Sequence, residues 1–225
     1  MSLYLREWGD GERVAVLVHG MTTDSGSWWR LGPALAERGY RVLAPDLPGH
    51  GRSARGEYTL RGMAEAVTAA VPANPALAIG HSLGGLVLAA AVGALRPARA
   101  VYVDPPWGTP PGEEVAAFLR AQQGWTLDQL TAFHPAWPAE AVREKHAALS
   151  RWDPETLGLV REYPGARTAP VPSLVVRGDL QPMVGETLAG QLRAEGFVVR
   201  VAPGTGHVVH NDDFETFVRT LEGWL

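Results

Sequence analysis

The sequence contains no cysteine, which excludes disulfides and any metal site built on thiolates. It has no apolar run of about 18 residues, so a membrane-spanning helix is not expected. Positive charge is nowhere clustered, and the net charge of -4 at pH 7 argues against a nucleic-acid partner. Of the 20 Lys and Arg side chains, all but Lys145 are arginine, which reads as compositional bias with little mechanistic content. The N-terminus, Met1 to Trp8, has neither the basic start nor the apolar stretch of a secretory leader, so cytoplasmic residence is the expectation. What remains is an ordinary globular composition, 46% hydrophobic and 20% charged over 225 residues, enough for a single domain with a full core.

Short apolar runs alternate with helical patterns along much of the chain. Leu3–Trp8 alternates and ends at Gly9-Asp10-Gly11, a hairpin signal. Strands are predicted at 14–18, 40–44, 76–79, 100–103, 173–177 and 197–202, several of them continuously apolar as strands buried on both faces are. Helices are predicted at 28–38, 59–71, 86–95, 184–195 and 214–225. Such alternation implies a mostly parallel sheet with helices on both faces. Between about 105 and 170 the alternation stops. Helical stretches at 113–123, 127–133, 139–150 and 154–161 replace it, crowded with Trp107, Trp125, Phe133, Trp137 and Trp152. This segment is expected to be an inserted helical cap over the sheet edge, some of its aromatic residues lining an apolar pocket and others gluing it down.

Gly80-His81-Ser82-Leu83-Gly84-Gly85 stands between a predicted strand and a predicted helix. Gly-x-Ser-x-Gly in that context is the pattern of a nucleophile elbow, where a serine sits on a strained turn and the strand and helix backbones nearly touch. Ligands in parallel sheets bind beyond the carboxyl ends of the strands. The loop at 19–21, Ser82, Asp104, Asp179 and His207 all follow predicted strands and so belong at that one edge.

With His19-Gly20, Asp46-Leu47-Pro48-Gly49-His50-Gly51-Arg52-Ser53 and Gly204-Thr205-Gly206-His207 in the same order along the chain, the sequence resembles the α/β-hydrolase superfamily over nearly all its length except the cap. The resemblance implies an α/β-hydrolase fold and a serine hydrolase of small esters, lactones or thioesters, needing no metal and no organic cofactor. Ser82 would be the nucleophile, His207 the base, and the backbone N–H groups of Met21 and Leu83 the oxyanion hole. His19 would brace the oxyanion loop, and His210 is a rival base that lacks the Gly-x-Gly approach. The third member of the triad is open. Where the family usually carries an acid before a proline, this chain has Gln181-Pro182. Asp179, on the same turn, is the first candidate; Asp104, after the preceding strand, is the alternative. His210-Asn211-Asp212-Asp213 reads as a cap for the last helix in preference to a metal site. A small-molecule substrate is the expected partner, with the chain a monomer or homodimer. The competing readings are C–C bond hydrolysis or a lyase reaction on the same scaffold, and a non-catalytic small-molecule-binding relative, suggested by Gln181.

Overall fold

The structure, a computed structural model, describes residues 2–108, 112–161 and 168–225. Strands β1 (Leu5–Trp8), β2 (Arg13–Val18), β3 (Tyr40–Pro45), β4 (Leu77–His81), β5 (Ala100–Val103), β6 (Ser173–Gly178) and β7 (Val198–Ala202) form one seven-stranded sheet. Its order is β1-β3-β2-β4-β5-β6-β7. Only β1 runs antiparallel to its neighbour; the pairs from β3 to β7 are parallel.

Burial explains that order. Alternate residues of β2 enter opposite cores: Val16 and Val18 pack with Met63, Val67 and Leu88 on one face, while Ala15 and Leu17 pack with Trp28, Leu31 and Phe217 on the other. A strand apolar on both sides must lie inside the sheet. The more polar β1 takes the edge and pairs with β3, not with β2, so the hairpin expected at Gly9-Asp10-Gly11 does not form. The two glycines instead let the chain cross the start of β3. A Cβ on Gly11 would overlap the Gly39 carbonyl, and Gly9 turns at φ +67° against Tyr40.

Helices α1 (Leu31–Ala36), α2 (Leu60–Ala70) and α3 (Leu83–Leu95) follow β2, β3 and β4. The helix expected at 28–38 is split. Asp24 accepts the Gly26 N–H and caps a single 3₁₀ turn, Ser25–Trp28, and α1 starts afresh at Leu31. Pro33 tolerates only the first turn of a helix, so the two pieces cannot fuse. The segment between β5 and β6 carries α4 (Glu113–Ala121), α5 (Leu127–Phe133), α6 (Ala139–Arg151) and 3₁₀ turns at Gln122–Gly124 and Pro154–Arg161. None of its described residues joins the sheet. Residues 109–111 and 162–167 of the expected 105–170 cap lie outside the described residues. After β6 come α7 (Glu186–Ala194), and after β7 come α8 (Val209–Asp212) and α9 (Phe214–Thr220). The terminal helix stops short of the expected 225, and Gly223 at φ 79° reverses the chain after it. Among the described residues no helix is long and apolar enough to cross a membrane.

Candidate active site

β4 enters the first turn of α3 through Ser82, which adopts φ 52° and ψ −118°. That backbone is strained for any residue with a Cβ. The close approach behind it requires glycine on both sides. A Cβ on Gly80 would overlap the Gly84 carbonyl, and one on Gly84 would overlap the Val18 carbonyl. Ser82 holds the N-cap position of α3 without using its side chain as the cap. Its hydroxyl lies instead 3.0 Å from His207 Nε2.

The other ring nitrogen of His207, Nδ1, lies 2.7 Å from Asp104 Oδ2. A carboxylate oxygen accepts, so Nδ1 carries the proton and Nε2 is the acceptor for the Ser82 hydroxyl. Asp104 has no exposed surface. It stands at φ 42° just beyond β5, the strand hydrogen-bonded to β4. Its oxygens also accept the backbone N–H groups of Met183 (2.9 Å) and Val184 (3.0 Å).

Asp179, the first candidate acid by sequence, does not reach His207. It is exposed, and its Oδ1 accepts the Gly204 N–H at 2.8 Å. The turn after β6 folds back on the histidine loop, with the Asp179 and Leu180 N–H groups both donating to the Thr205 carbonyl. Beyond it the chain passes through Gln181 at φ 55° and offers Asp104 the two N–H donors already named. This turn contributes donors to a carboxylate held just beyond β5, and no carboxylate of its own to His207.

The remaining landmarks support this geometry. His19 is fully buried; its Nε2 accepts the Leu47 N–H at 2.9 Å, so Nδ1–H donates to the Gly20 carbonyl at 2.8 Å. The Thr23 hydroxyl donates to the same carbonyl at 2.9 Å. The Gly20 carbonyl and the Met21 N–H belong to one planar trans peptide and point in opposite directions. Two donors on the carbonyl therefore fix where the Met21 N–H aims. On α3 the Ser82 carbonyl accepts from Gly85 N–H (2.8 Å), which fixes the Leu83 N–H in the same way. No acceptor among the described residues takes either N–H.

Three other histidines are buried bases kept neutral. His81 donates through Nε2 to the His207 carbonyl at 3.1 Å, bracing the loop from below. Burial, and after it the neighbouring His210 and His207, push its pKa well below the ordinary value. His210 is stacked on Trp28 with centroids 4.7 Å apart, and burial lowers its pKa to about 3; neither of its ring nitrogens has a partner among the described residues. His50 packs beside His19 and is likewise held neutral by burial. The acidic cluster after His210 is divided among structural duties. Asp213 caps α9, while Asp212 accepts the Gly206 N–H (2.8 Å) and the Trp137 Nε1–H (2.6 Å). Among the described residues no group of three metal-binding side chains converges.

A cavity of about 290 Å³ opens at Ser82 and His207, walled by Met21, Leu83, Leu86 and Met183 below and by side chains of α4 to α6 above. Of the aromatic residues expected to matter, Phe133 and Trp137 line it. Trp107 packs instead on Tyr102 of β5 and on Phe197, just before β7. Trp152 is buried, donating to the Thr156 hydroxyl at 2.7 Å. Trp125 stacks edge-on against Phe118 and Phe133. Sequence reasoning missed Phe118, Gln122, His134 and Lys145 on the cavity wall. They lie on or beside different helices of the insertion, so no pattern within one helix brings them together. For Lys145 alone there was a signal, its being the one lysine of the chain.

Residues 15–220 match the alpha/beta hydrolase family. Over 218 residues the chain is 31% identical to the ABHD14B protein of Rattus norvegicus, a match covering 94% of this chain and 84% of that one. Over 137 residues it is 35% identical to a pimeloyl-[acyl-carrier protein] methyl ester esterase of Methylococcus capsulatus, covering 57% of this chain and 52% of that protein. The matched stretch is thus about half of the second relative's length. Among solved structures, the esterase RhEst1 of a Rhodococcus species superposes with a TM-score of 0.77 at 22% identity, covering 100% of this chain and 98% of that one. A marine microorganism esterase superposes with a TM-score of 0.80 at 17% identity, covering 100% and 99%.

Proposed function

From the premise that this chain belongs to the alpha/beta hydrolase family, we propose that it is an esterase-like hydrolase that cleaves a small carboxylic ester through a Ser82–His207–Asp104 triad and an acyl-enzyme. The observation that carries this reading is the unbroken pair of hydrogen bonds, Ser82 Oγ to His207 Nε2 at 3.0 Å and His207 Nδ1 to Asp104 at 2.7 Å.

In the first half-reaction Ser82 Oγ bonds to the substrate carbonyl carbon as its proton passes to His207 Nε2. The carbonyl π pair moves onto oxygen, which the Met21 and Leu83 N–H groups receive. Donors fixed in advance in this way are worth about 3 kcal/mol each to the transition state. Asp104 holds the ring in the tautomer that leaves Nε2 free and offsets the positive charge of the imidazolium. Collapse of the intermediate breaks the ester C–O bond, and His207 returns its proton to the departing alkoxide, releasing the alcohol. Water then repeats the sequence on the acyl-Ser82: His207 takes one water proton, the hydroxyl bonds to the acyl carbon, and the acid leaves as Ser82 Oγ recovers the proton. The helices α4 to α6 act as a lid that keeps bulk water from the acyl-enzyme and shapes the acyl or alcohol pocket. Each of these steps uses only protein side chains, backbone N–H groups and water.

Reaction with a fluorophosphonate probe tests the reading. The wild-type chain is expected to take up one probe per molecule on Ser82. Ser82→Ala should abolish labelling and lower kcat for aryl acetates by about 10⁴-fold or more. Near-normal esterase activity in Ser82→Ala would remove the proposal.

A further inference from the structure

The cavity above Ser82 has an uneven distribution of charge. Its ionisable wall residues are His81, His134, Lys145 and His207, and among the described residues no Asp or Glu lines it. Lys145, on α6, is the one lysine of the sequence and is only 9% exposed. Its Nζ donates to the Thr22 carbonyl at 3.2 Å and to the Thr22 hydroxyl. An ammonium has three N–H donors. The third has no acceptor, and the charge has no carboxylate within ion-pair distance, among the described residues. A buried ammonium without a counter-ion is a costly arrangement that a fold retains only with compensation. Burial accordingly lowers its pKa to about 7.

Two neutral polar groups share the wall with it. Gln122, 4% exposed, has an Oε1 that no donor among the described residues reaches. A half-turn of its amide exchanges that oxygen for the N–H₂ group. His134 is stacked on Trp137 at 3.6 Å and held neutral by burial and by Lys145, its pKa lowered to about 4. A neutral imidazole carries one N–H donor. The rest of the wall, Leu83, Leu86, Val115, Phe118, Leu119 and Phe133, is apolar.

We infer that Lys145, with Gln122 and His134, forms a subsite for an anionic group on the substrate, so that the enzyme's preferred esters are half-esters of small dicarboxylic acids or similarly acidic compounds. The inference rests on the esterase reading above for the fate of the ester, but not for the binding of the anion. A carboxylate of the substrate supplies the counter-charge that the fold omits. It accepts from the free N–H of Lys145 in a charge-assisted hydrogen bond, and the low local dielectric strengthens the pairing. The alternative role for Lys145 is to brace the Thr22 carbonyl, next to the oxyanion loop, with no part in selecting substrate.

The test compares 4-nitrophenyl hydrogen glutarate with 4-nitrophenyl glutaramate, in which a neutral carboxamide replaces the carboxylate at nearly constant shape. The quantity read is the ratio of kcat/KM for the two within each protein, so any general loss of activity cancels. The wild-type chain should prefer the anionic ester. Lys145→Met should lower that preference by roughly 30-fold or more, the loss expected when one partner of a buried charge pair is removed. Lys145→Arg should retain most of it. Binding is read separately from catalysis by adding free glutarate to the full chain. Tm should rise with glutarate in the wild type, as for any ligand that binds only the folded state, and should not rise in Lys145→Met. A wild-type enzyme indifferent to the carboxylate, or an equal preference in Lys145→Met, overturns the inference and leaves Lys145 as a brace. Absence of fluorophosphonate labelling overturns the esterase reading instead, and in that case the response of Tm to glutarate still decides the subsite.

Discussion

Asp104 and Asp179 stand beyond adjacent strands and differ in what their carboxylates meet. Asp104 is fully buried and accepts from His207 Nδ1 and from two backbone N–H groups. Asp179 is exposed and secures the turn at Gly204. Asp104→Asn presents an amide to the imidazole, and an N–H₂ group facing Nδ1 forces the wrong tautomer. It should lower kcat by about 10⁴-fold, as loss of a triad carboxylate does elsewhere. Asp179→Asn should keep kcat within a few-fold, since it removes one exposed hydrogen bond worth about 1 kcal/mol. Steady-state hydrolysis of an aryl acetate by the two purified variants distinguishes them, and the reverse ranking would return the acid to Asp179. Both aspartates were legible in the sequence as candidates because both follow strands. Which one meets His207 was not legible, because that depends on Gln181 adopting φ 55° and on the Thr205 carbonyl taking two N–H groups. The turn that carries Ser82, by contrast, was legible as Gly-x-Ser-x-Gly between a strand and a helix, although Gly84 is demanded by the distant Val18 carbonyl as Gly80 is by the nearby Gly84 carbonyl. Lys145 stands out in the sequence as its one lysine, but its surroundings come from residues 22, 122 and 134, on separate elements.

At the scale of elements, the inserted helices are tied to the sheet edge at a few polar points. Arg151 at the end of α6 pairs with the buried Asp24 at 2.5 Å, Lys145 holds Thr22, and the indole N–H of Trp137 donates to Asp212. The last tie matters most for the site, because the other oxygen of Asp212 receives the Gly206 N–H beside His207. The connection between α5 and α6 and the histidine loop thus share one carboxylate. Trp137→Phe removes the indole donor while keeping an aromatic ring against His134. It should cost about 1.5–3 kcal/mol, the range for a hydrogen bond to a charged group, measured as a drop in Tm. Amide exchange at residues 204–213 should speed up more than exchange in β4 or β5. Uniform change across the sheet would mean that Asp212 holds its loop without help from Trp137. The strands themselves were read from the sequence to within about two residues, because a run such as Val14–Val18 has no alternative to the sheet interior. The pairing of β1 was misread, since Gly-Asp-Gly is a local signal for a hairpin and the preference of β2 for two buried neighbours is a property of the whole sheet. The split near Trp28 was missed for a related reason: the apolar spacing continues through it, and Asp24 and Pro33 decide the matter.

For the molecule as a whole, the buried bases set how stability responds to pH. Lys145 has an ordinary pKa of 10.5 when exposed and about 7 in the fold. Above pH 10.5 it is neutral in both states and carries no penalty. As pH falls from 10.5 to 7 the unfolded chain takes up a proton that the folded chain refuses, so stability declines over that interval. Below 7 both states are protonated, and the penalty stays at its full value. Of the histidines that feel its charge, His134 titrates at about 4 and His50 and His81 are held neutral by burial, so all three are neutral across this window. Lys145→Met removes the amine and with it this pH dependence, while the lost bonds to Thr22 give an offset that does not vary with pH. Every other titrating group is common to the two proteins. The difference in Tm, variant minus wild type, should therefore rise steadily as the buffer is taken from pH 10.5 down to 7, and level off between 7 and 6. A difference that is flat across the range would mean that the Lys145 ammonium keeps its charge in the fold, which requires a counter-ion or solvent that compensates it. Saturating glutarate should flatten the same curve by stabilising the wild-type ammonium, while leaving the curve of Lys145→Met where it was.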